Sequence, residues 1–245
     1  MRGTPLSAWQ TSQALAAVAQ ITLHELVPDS ARVIVVAPHP DDENLGCGGL
    51  LAGLAERGST VRIIAVTDGE GSHPHSALWP QDRLRATRRQ ESQVAMERLG
   101  FAPAQVEWHH LSLPDGQVAA HAHALHTHLM AILQPGDCLL TTWRQDGHCD
   151  HEAVGSVAAH CAAAAKAQLI EVPVWAWHWA RPEDPRIPWH RARKLPLTER
   201  QQACKAQSVR AHASQLRPDP STSAGPVLAE GTLARLLQPF ELVLL

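Results

Sequence analysis

The chain of 245 residues has no tyrosine, two phenylalanines and three methionines, so its aromatic surface rests almost wholly on eight tryptophans. No apolar run approaches the roughly 18 residues that cross a bilayer, which argues against membrane insertion. Residues 14–23 are mildly apolar, but Gln20 interrupts them and no small-residue cleavage pattern follows, so no secretory leader is expected. Neither sign of charge dominates: 21 basic against 24 acidic residues leave a net charge of −3. That balance gives no electrostatic footprint for nucleic acid or an anionic membrane. Five cysteines, Cys47, Cys138, Cys149, Cys161 and Cys204, form no CxxC pair, and their odd number argues against a disulfide framework. Reduced thiols and a cytoplasmic location are the expectation.

What the chain does have is histidine, 16 in all, within an ordinary globular composition of 44% apolar and 18% charged residues. The length suits one large α/β domain over residues 1–245, with the motif-bearing core at about 31–180. The apolar runs set the rhythm. Helical spacing covers 11–26 and stops at Pro28. Unbroken β-rich runs at 32–37 and 61–66 read as strands buried on both faces, and residues 50–57 between them read as a helix. The alternation goes on with a helix at 81–99, a strand at 106–113 and a helix at 118–133. A strand at 138–143, a helix at 152–166 and a strand at 169–179 follow. Residues 181–196 read as a proline- and arginine-rich surface excursion, 197–216 as a helix, 217–226 as a loop and 240–245 as an edge strand. Such a pattern predicts an α/β fold: a Rossmann-like, mostly parallel sheet with helices on both faces.

Ligands of open α/β sheets bind beyond the carboxyl ends of the strands, so the residues after each run carry the chemistry. The first strand is followed by Pro38-His39-Pro40-Asp41-Asp42-Glu43 and the second by Thr67-Asp68-Gly69-Glu70. The third is followed by Pro114-Asp115-Gly116, and residue 143 by Arg144-Gln145-Asp146-Gly147-His148-Cys149-Asp150-His151. His39, Asp42 and His151 would give two imidazoles and a carboxylate, the ligand type of catalytic zinc. Iron or another divalent ion suits such a set as well. Against this, Asp41 and Asp42 precede a helix and could serve only as caps. Gly46, Gly48 and Gly49 lack either nucleotide fingerprint and read as close helix packing. The missing Gly-x-Gly-x-x-Gly turn also argues against a dinucleotide oxidoreductase.

The stretch from Val33 to Gly49, with His39-Pro40-Asp41-Asp42-Glu43 at its centre, closely resembles the signature of the PIG-L (LmbE-like) de-N-acetylases. So do His148-x-Asp150-His151 with Gly155, Thr67-Asp68-Gly69-Glu70 and Arg88-x-x-Glu91. A fainter likeness runs through Lys205 and His212-x-Ser214-Gln215. The resemblance implies a zinc amidohydrolase releasing acetate from an N-acetylglucosamine-type conjugate. It implies His39, Asp42 and His151 as metal ligands, Asp41 as general base and His148 as the residue that stabilises the oxyanion and assists leaving-group protonation. Asp150 would orient His148 or simply make a turn. Arg88 and Asp115 would contact substrate, or form an ion pair with Glu91 and a Pro-Asp-Gly turn respectively. The expected partner is a small amino-sugar conjugate, and a homo-oligomer is compatible with the composition. Two alternatives stay open: an amidase for a larger acyl group, its pocket shaped by the 181–193 stretch, and a metal-retaining binding protein. His73 and His75 read as loop residues, and His121, His123, His126 and His128 as a solvated helix face. Trp175, Trp177 and Trp179 read as one face of a strand, packed in the core or stacking on sugar.

Overall fold

The computed structural model describes residues 3–245. The amino-terminal helical pattern is broken into three pieces, α1 (Leu6–Gln10), α2 (Gln13–Ala17) and α3 (Leu23–Leu26). The expected helix over 11–26 does not form. Ser12 and Thr22 each accept a backbone N–H three residues on and so start new helices, while Val18 is extended. Between them Gln20 bridges to Lys194.

The apolar runs then build the sheet. β1 (Val33–Ala37) leads through α4 (Asp42–Glu56) to β2 (Val61–Thr67), and α5 (Gln81–Arg98) leads to β3 (Val106–Leu113). The chain returns through α6 (Ala122–Ile132) to β4 (Cys138–Thr142), and α7 (Cys149–Ala165) leads to β5 (Gln168–Val172). After α8 (Ala176–Trp179) come β6 (Ala192–Pro196), α9 (Glu199–Val209), α10 (Ala213–Leu216), α11 (Glu230–Leu236) and β7 (Phe240–Leu244). The seven strands form one sheet in the order β3-β2-β1-β4-β5-β7-β6. Only β7 runs against the others.

β1 shows why both faces carry helices. Val33 and Val35 join a core with Leu50, Leu51 and Leu54 of α4 and Met96 of α5. Ile34 and Val36 face the other way, onto Leu125 and Leu129 of α6 and Val154 and Ala158 of α7. Alternating side chains of a strand point to opposite faces, and burial of both demands this double cover.

Further boundaries differ from the sequence reading. α4 starts at Asp42 rather than residue 50, because its glycines admit close neighbours: Gly46 lies against Val172, Gly48 against Lys205 and Gly49 against Leu197. The helix bends at Cys47. α7 starts at Cys149 rather than 152. The expected strand over 169–179 ends at Val172, since Pro173 has no N–H and the next three N–H groups are taken elsewhere, as shown below. Within the expected excursion at 181–196 lies β6, and β7 is an interior strand between β5 and β6 rather than an edge. The helix expected over 197–216 is two, α9 and α10, interrupted at residues 210–212.

Candidate metal and catalytic site

β1 and β4 are neighbours, and from them the chain winds to opposite sides of the sheet. Their carboxyl ends therefore flank the switch point where open sheets bind ligands. The loop after β1 carries His39, and the Asp42 carboxylate folds back to accept the His39 N–H at 3.0 Å. The loop after β4 ends at His148, which caps α7: its Nδ1 accepts the Asp150 N–H at 3.3 Å. His151 follows in the first turn of α7, wholly buried.

One oxygen gathers the imidazoles. Asp42 Oδ2 lies 3.1 Å from His39 Nδ1 and 3.1 Å from His151 Nε2. The far nitrogens are committed: His151 Nδ1 is 2.8 Å from Asp146 Oδ2, and His39 Nε2 is 3.2 Å from both Asp150 Oδ2 and Asp115 Oδ1. In its neutral form, with the proton on Nδ1 for Asp146, His151 turns a bare lone pair on Nε2 toward Asp42. That nitrogen is buried and has no hydrogen-bond partner. Two lone pairs face each other there, an arrangement a cation relieves. Tetrahedral zinc with bonds of about 2.0–2.1 Å sets its donors about 3.3 Å apart, and both distances to Asp42 Oδ2 are close to that spacing. His148 is a neighbour, with a ring nitrogen within 4.8 Å of those of His39 and His151. Its Nδ1 is engaged by the Asp150 N–H, so Asp42 is the better third donor.

The electrostatics agree. Burial disfavours charge on His39, yet Asp115, Asp150 and Asp42 outweigh it and hold the ring well above its ordinary pKa. Burial likewise opposes charge on His151, and Asp42 with Asp146 pushes it up to about 9. For Asp42 burial is outweighed by His151 and His39, and its carboxyl stays well below the usual range. Clustered carboxylates here favour positive charge, whether proton or metal ion.

Asp41 is apart from the donors. It stands at the N-cap position of α4 but makes no side-chain cap bond, and its φ of 133° is rare for a non-glycine residue. The capping explanation fails for it. Its Oδ2 accepts from Arg88 Nη2 at 3.1 Å. Burial raises the Asp41 carboxyl to about 7, with Arg88 opposing. Arg88 is buried, not a surface ion pair with Glu91. It donates to Gly69 O at 2.8 Å and Pro40 O at 2.6 Å, leaving Nε without a partner. Glu91 instead accepts the Ser214 N–H and hydroxyl. Glu43 accepts the Asp41 N–H and so braces the turn.

Asp115 also takes the Gly71 N–H, at 2.8 Å. Burial would raise its carboxyl, but the hydrogen bond and charge of His39 bring it down to about 2. The Asp150 carboxylate does not orient His148; it accepts from Gly116 N at 2.7 Å and Val118 N at 3.1 Å and faces His39. His148 is held by the Asp150 backbone instead. Burial, with His151 and His39 nearby, lowers the pKa of His148.

Asp146 has no role in the sequence reading, although it stands among the residues after β4. It is fully buried and accepts from Val174 N (3.0 Å), Trp175 N (2.8 Å) and Ala176 N (2.9 Å) besides His151. These bonds end β5 and turn the chain into α8, so the three tryptophans share no strand face. Trp175 lies 6.0 Å from His148, ring to ring. Trp177 packs on Trp9 in the core, and Trp179 donates to Asp146 O. A cavity of about 320 Å³ opens over the site. His39, Asp41, Asp42, Arg88, Asp115 and His148 line it together with Trp175 and Trp177. His73, His75 and the histidines of α6 are not on its wall. No helix among the described residues is long and apolar enough to cross a membrane.

The sequence profile of the PIG-L family, described as GlcNAc-PI de-N-acetylase, matches residues 34–162. A protein of Corynebacterium diphtheriae named 1D-myo-inositol 2-acetamido-2-deoxy-alpha-D-glucopyranoside deacetylase is 27% identical over 230 residues, covering 76% of each chain. One of the same name from Kineococcus radiotolerans is 34% identical over 101 residues, which cover 40% of this chain and 27% of that one. The chain thus spans only about a quarter of the length of that relative. Among solved structures, the N,N'-diacetylchitobiose deacetylase of Pyrococcus horikoshii superposes with a TM-score of 0.60 at 21% identity, covering 79% of this chain and 73% of that one. The likeness in structure speaks for the fold. The profile spans more than half of the chain and contains both histidine–aspartate clusters, and the chain belongs to the PIG-L de-N-acetylase family.

Proposed function

We propose that this protein hydrolyses the N-acetyl amide of an N-acetylglucosamine-type conjugate, releasing acetate and a free amine. The observation that carries this reading is the convergence of His39 Nδ1 and His151 Nε2 on one Asp42 oxygen, 3.1 Å from each. His39, Asp42 and His151 would hold the ion, zinc or another divalent metal, leaving Asp41 free beside them. When bound, the metal supplies Lewis acidity toward the amide oxygen and toward water. Asp41 receives the proton of the attacking water, held for that task by Arg88 and by its unusual backbone. His148 is kept neutral by its surroundings. With Nδ1 accepting from Asp150 N–H, its own proton sits on Nε2 as a donor for the developing oxyanion. The C–N bond then breaks, and the departing amine takes the proton back from Asp41. Arg88 and Asp115 would contact the sugar from the cavity wall. Apolar walls at Leu45, Val174, Trp175 and Leu228 favour, as a second reading, a longer acyl group on the same amide. The relatives' names support an amino-sugar substrate.

The test pairs metal content with amine release from N-acetylglucosamine and its conjugates, before and after chelation, over a short- and long-acyl series. About one divalent ion per chain with chelator-sensitive release is expected. Asp41→Asn should keep the metal and lose roughly 10²–10⁴-fold in turnover. Bound metal without release from any amide would favour a binding protein, and full turnover by Asp41→Asn would remove the proposed base.

A further inference from the structure

The cavity wall holds a second polar group, unconnected with the metal donors. α8 contributes His178, and α11 contributes Thr232 and Arg235. Arg235 is 5% exposed. Its Nη1 donates to Thr4 O at 3.1 Å, and its Nη2 donates to His178 Nδ1 at 2.8 Å and Thr232 Oγ1 at 3.3 Å. Its Nε is buried and has no partner. Every acceptor is neutral. Among the described residues no carboxylate pairs with this guanidinium, and burial alone presses on its charge. Arg88, the other buried arginine among the described residues, meets Asp41, and the half-buried Arg144 and Arg191 meet Glu171. A guanidinium cannot shed its proton, so an unpaired one inside a wall is costly unless something brings it an anion.

The three neutral acceptors fix the guanidinium plane without neutralising it. With Nδ1 accepting from Arg235, a neutral His178 carries its proton on Nε2, a further donor in the same group. A strut for the amino-terminal segment would need only the bond to Thr4 O. It would need no place on the cavity wall.

We propose that Arg235, with His178 and Thr232, is an anion-recognising subsite, and that the substrate is an N-acylated amino-sugar conjugate carrying a carboxylate or a phosphate. The sugar and amide rest on the function proposed above; the anion site does not. Arginine meets both anions with charge-assisted hydrogen bonds, and a neutral conjugate would leave the buried charge unpaired.

The experiment uses three probes on the metal-loaded protein: methyl N-acetylglucosaminide, carboxymethyl N-acetylglucosaminide and N-acetylglucosamine 1-phosphate. Affinity by calorimetry and amine release are measured for each, on the wild type and on Arg235→Met and Arg235→Lys. At least one acidic probe is expected to bind the wild type about tenfold or more tightly than the methyl glycoside. Arg235→Met should reduce that ratio to near one, with Arg235→Lys between. The carboxylate and phosphate arms identify which anion fits. Equal affinity for acidic and neutral probes in the wild type overturns the subsite and needs no variant to fold. A preference that survives in Arg235→Met overturns it too. Arg235-dependent binding without amine release keeps the subsite and rejects the deacetylase reading. Release from all three probes with equal affinity does the reverse.

Discussion

Replacing Asp146 by Asn tests how the site is held. The change keeps shape and removes one acceptor. Oδ1 of Asp146 serves the Val174 and Ala176 N–H groups, and Oδ2 serves the Trp175 N–H and His151 Nδ1. If the amide oxygen keeps the Oδ1 position, its NH₂ faces two donors. The Trp175 N–H loses its partner, which costs about 1–3 kcal/mol for a buried donor. His151 answers by moving its proton to Nε2, where Asp42 Oδ2 is 3.1 Å away and can accept it. That switch limits the loss in the metal-free protein to roughly 2–3 kcal/mol, or about 4–12 °C in Tm for a chain of this length. The same proton now stands where the proposed metal would bind. Second-shell carboxylates of metal-bound histidines are worth about 10–100-fold in metal affinity, and a loss of that size is expected. Melting with and without chelator gives the first quantity, and competition with a chromophoric chelator gives the second. An Asp146→Asn protein that melts lower yet binds metal within about twofold of the wild type would refute the tautomer argument.

Two further predictions concern the frame. Glu171 is fully buried and accepts from Arg144 and Arg191 at 2.8 Å each, so Glu171→Gln should cost roughly 2–3 kcal/mol at neutral pH. Burial pushes the Glu171 carboxyl up, but the arginines outweigh it and leave it below its ordinary 4.5. A depressed folded-state pKa contributes stability above the unfolded value and loses it as pH falls through the folded one. The gap in Tm between wild type and Glu171→Gln should therefore be full above pH 4.5 and close below it; a constant gap down to pH 3 would count against the pairing. At Gly155, a Cβ would stand 2.6 Å from Thr142 O and 2.8 Å from Arg144 N, backbone atoms that cannot swing away. Gly155→Ala should lose about 1–3 kcal/mol and weaken metal binding, because α7 carries His151. Unchanged melting would show that α7 can shift on β4 at no cost.

How much was legible in the sequence depends on the range of the interactions. β1, β2 and β4 are short apolar runs whose burial on both faces is written in their own residues, so the parallel core could be read directly. The ends of those runs also located the chemistry, since a parallel sheet brings the loops after neighbouring strands together. His39 and Asp42 lie three residues apart in one turn, and His148 and His151 three apart at one helix end. Local patterns of this kind survive folding.

The misplaced features depend on partners far along the chain. Gly46, Gly48 and Gly49 read as close packing in the sequence, but only Val172, Lys205 and Leu197 against them account for a helix that begins ahead of them. The tryptophan stretch alternates like a strand, but Asp146, about 30 residues earlier, takes the N–H groups that a strand would spend on its neighbour. β6 and β7 pair with each other, β7 with the sheet edge left by β5 and β6 with the distant Gln20, which composition cannot foresee. Arg88 and Arg235 are equally basic in the sequence. Only the fold gives the first a carboxylate and leaves the second with neutral acceptors, because the identity of a buried charge's partner is set by tertiary contact. The sequence alone determined where the candidate site lies and its residue types, through spacing within single turns. The tertiary structure decided which of those side chains converge, which brace them and which residues line the cavity above, because these depend on contacts between distant parts of the chain.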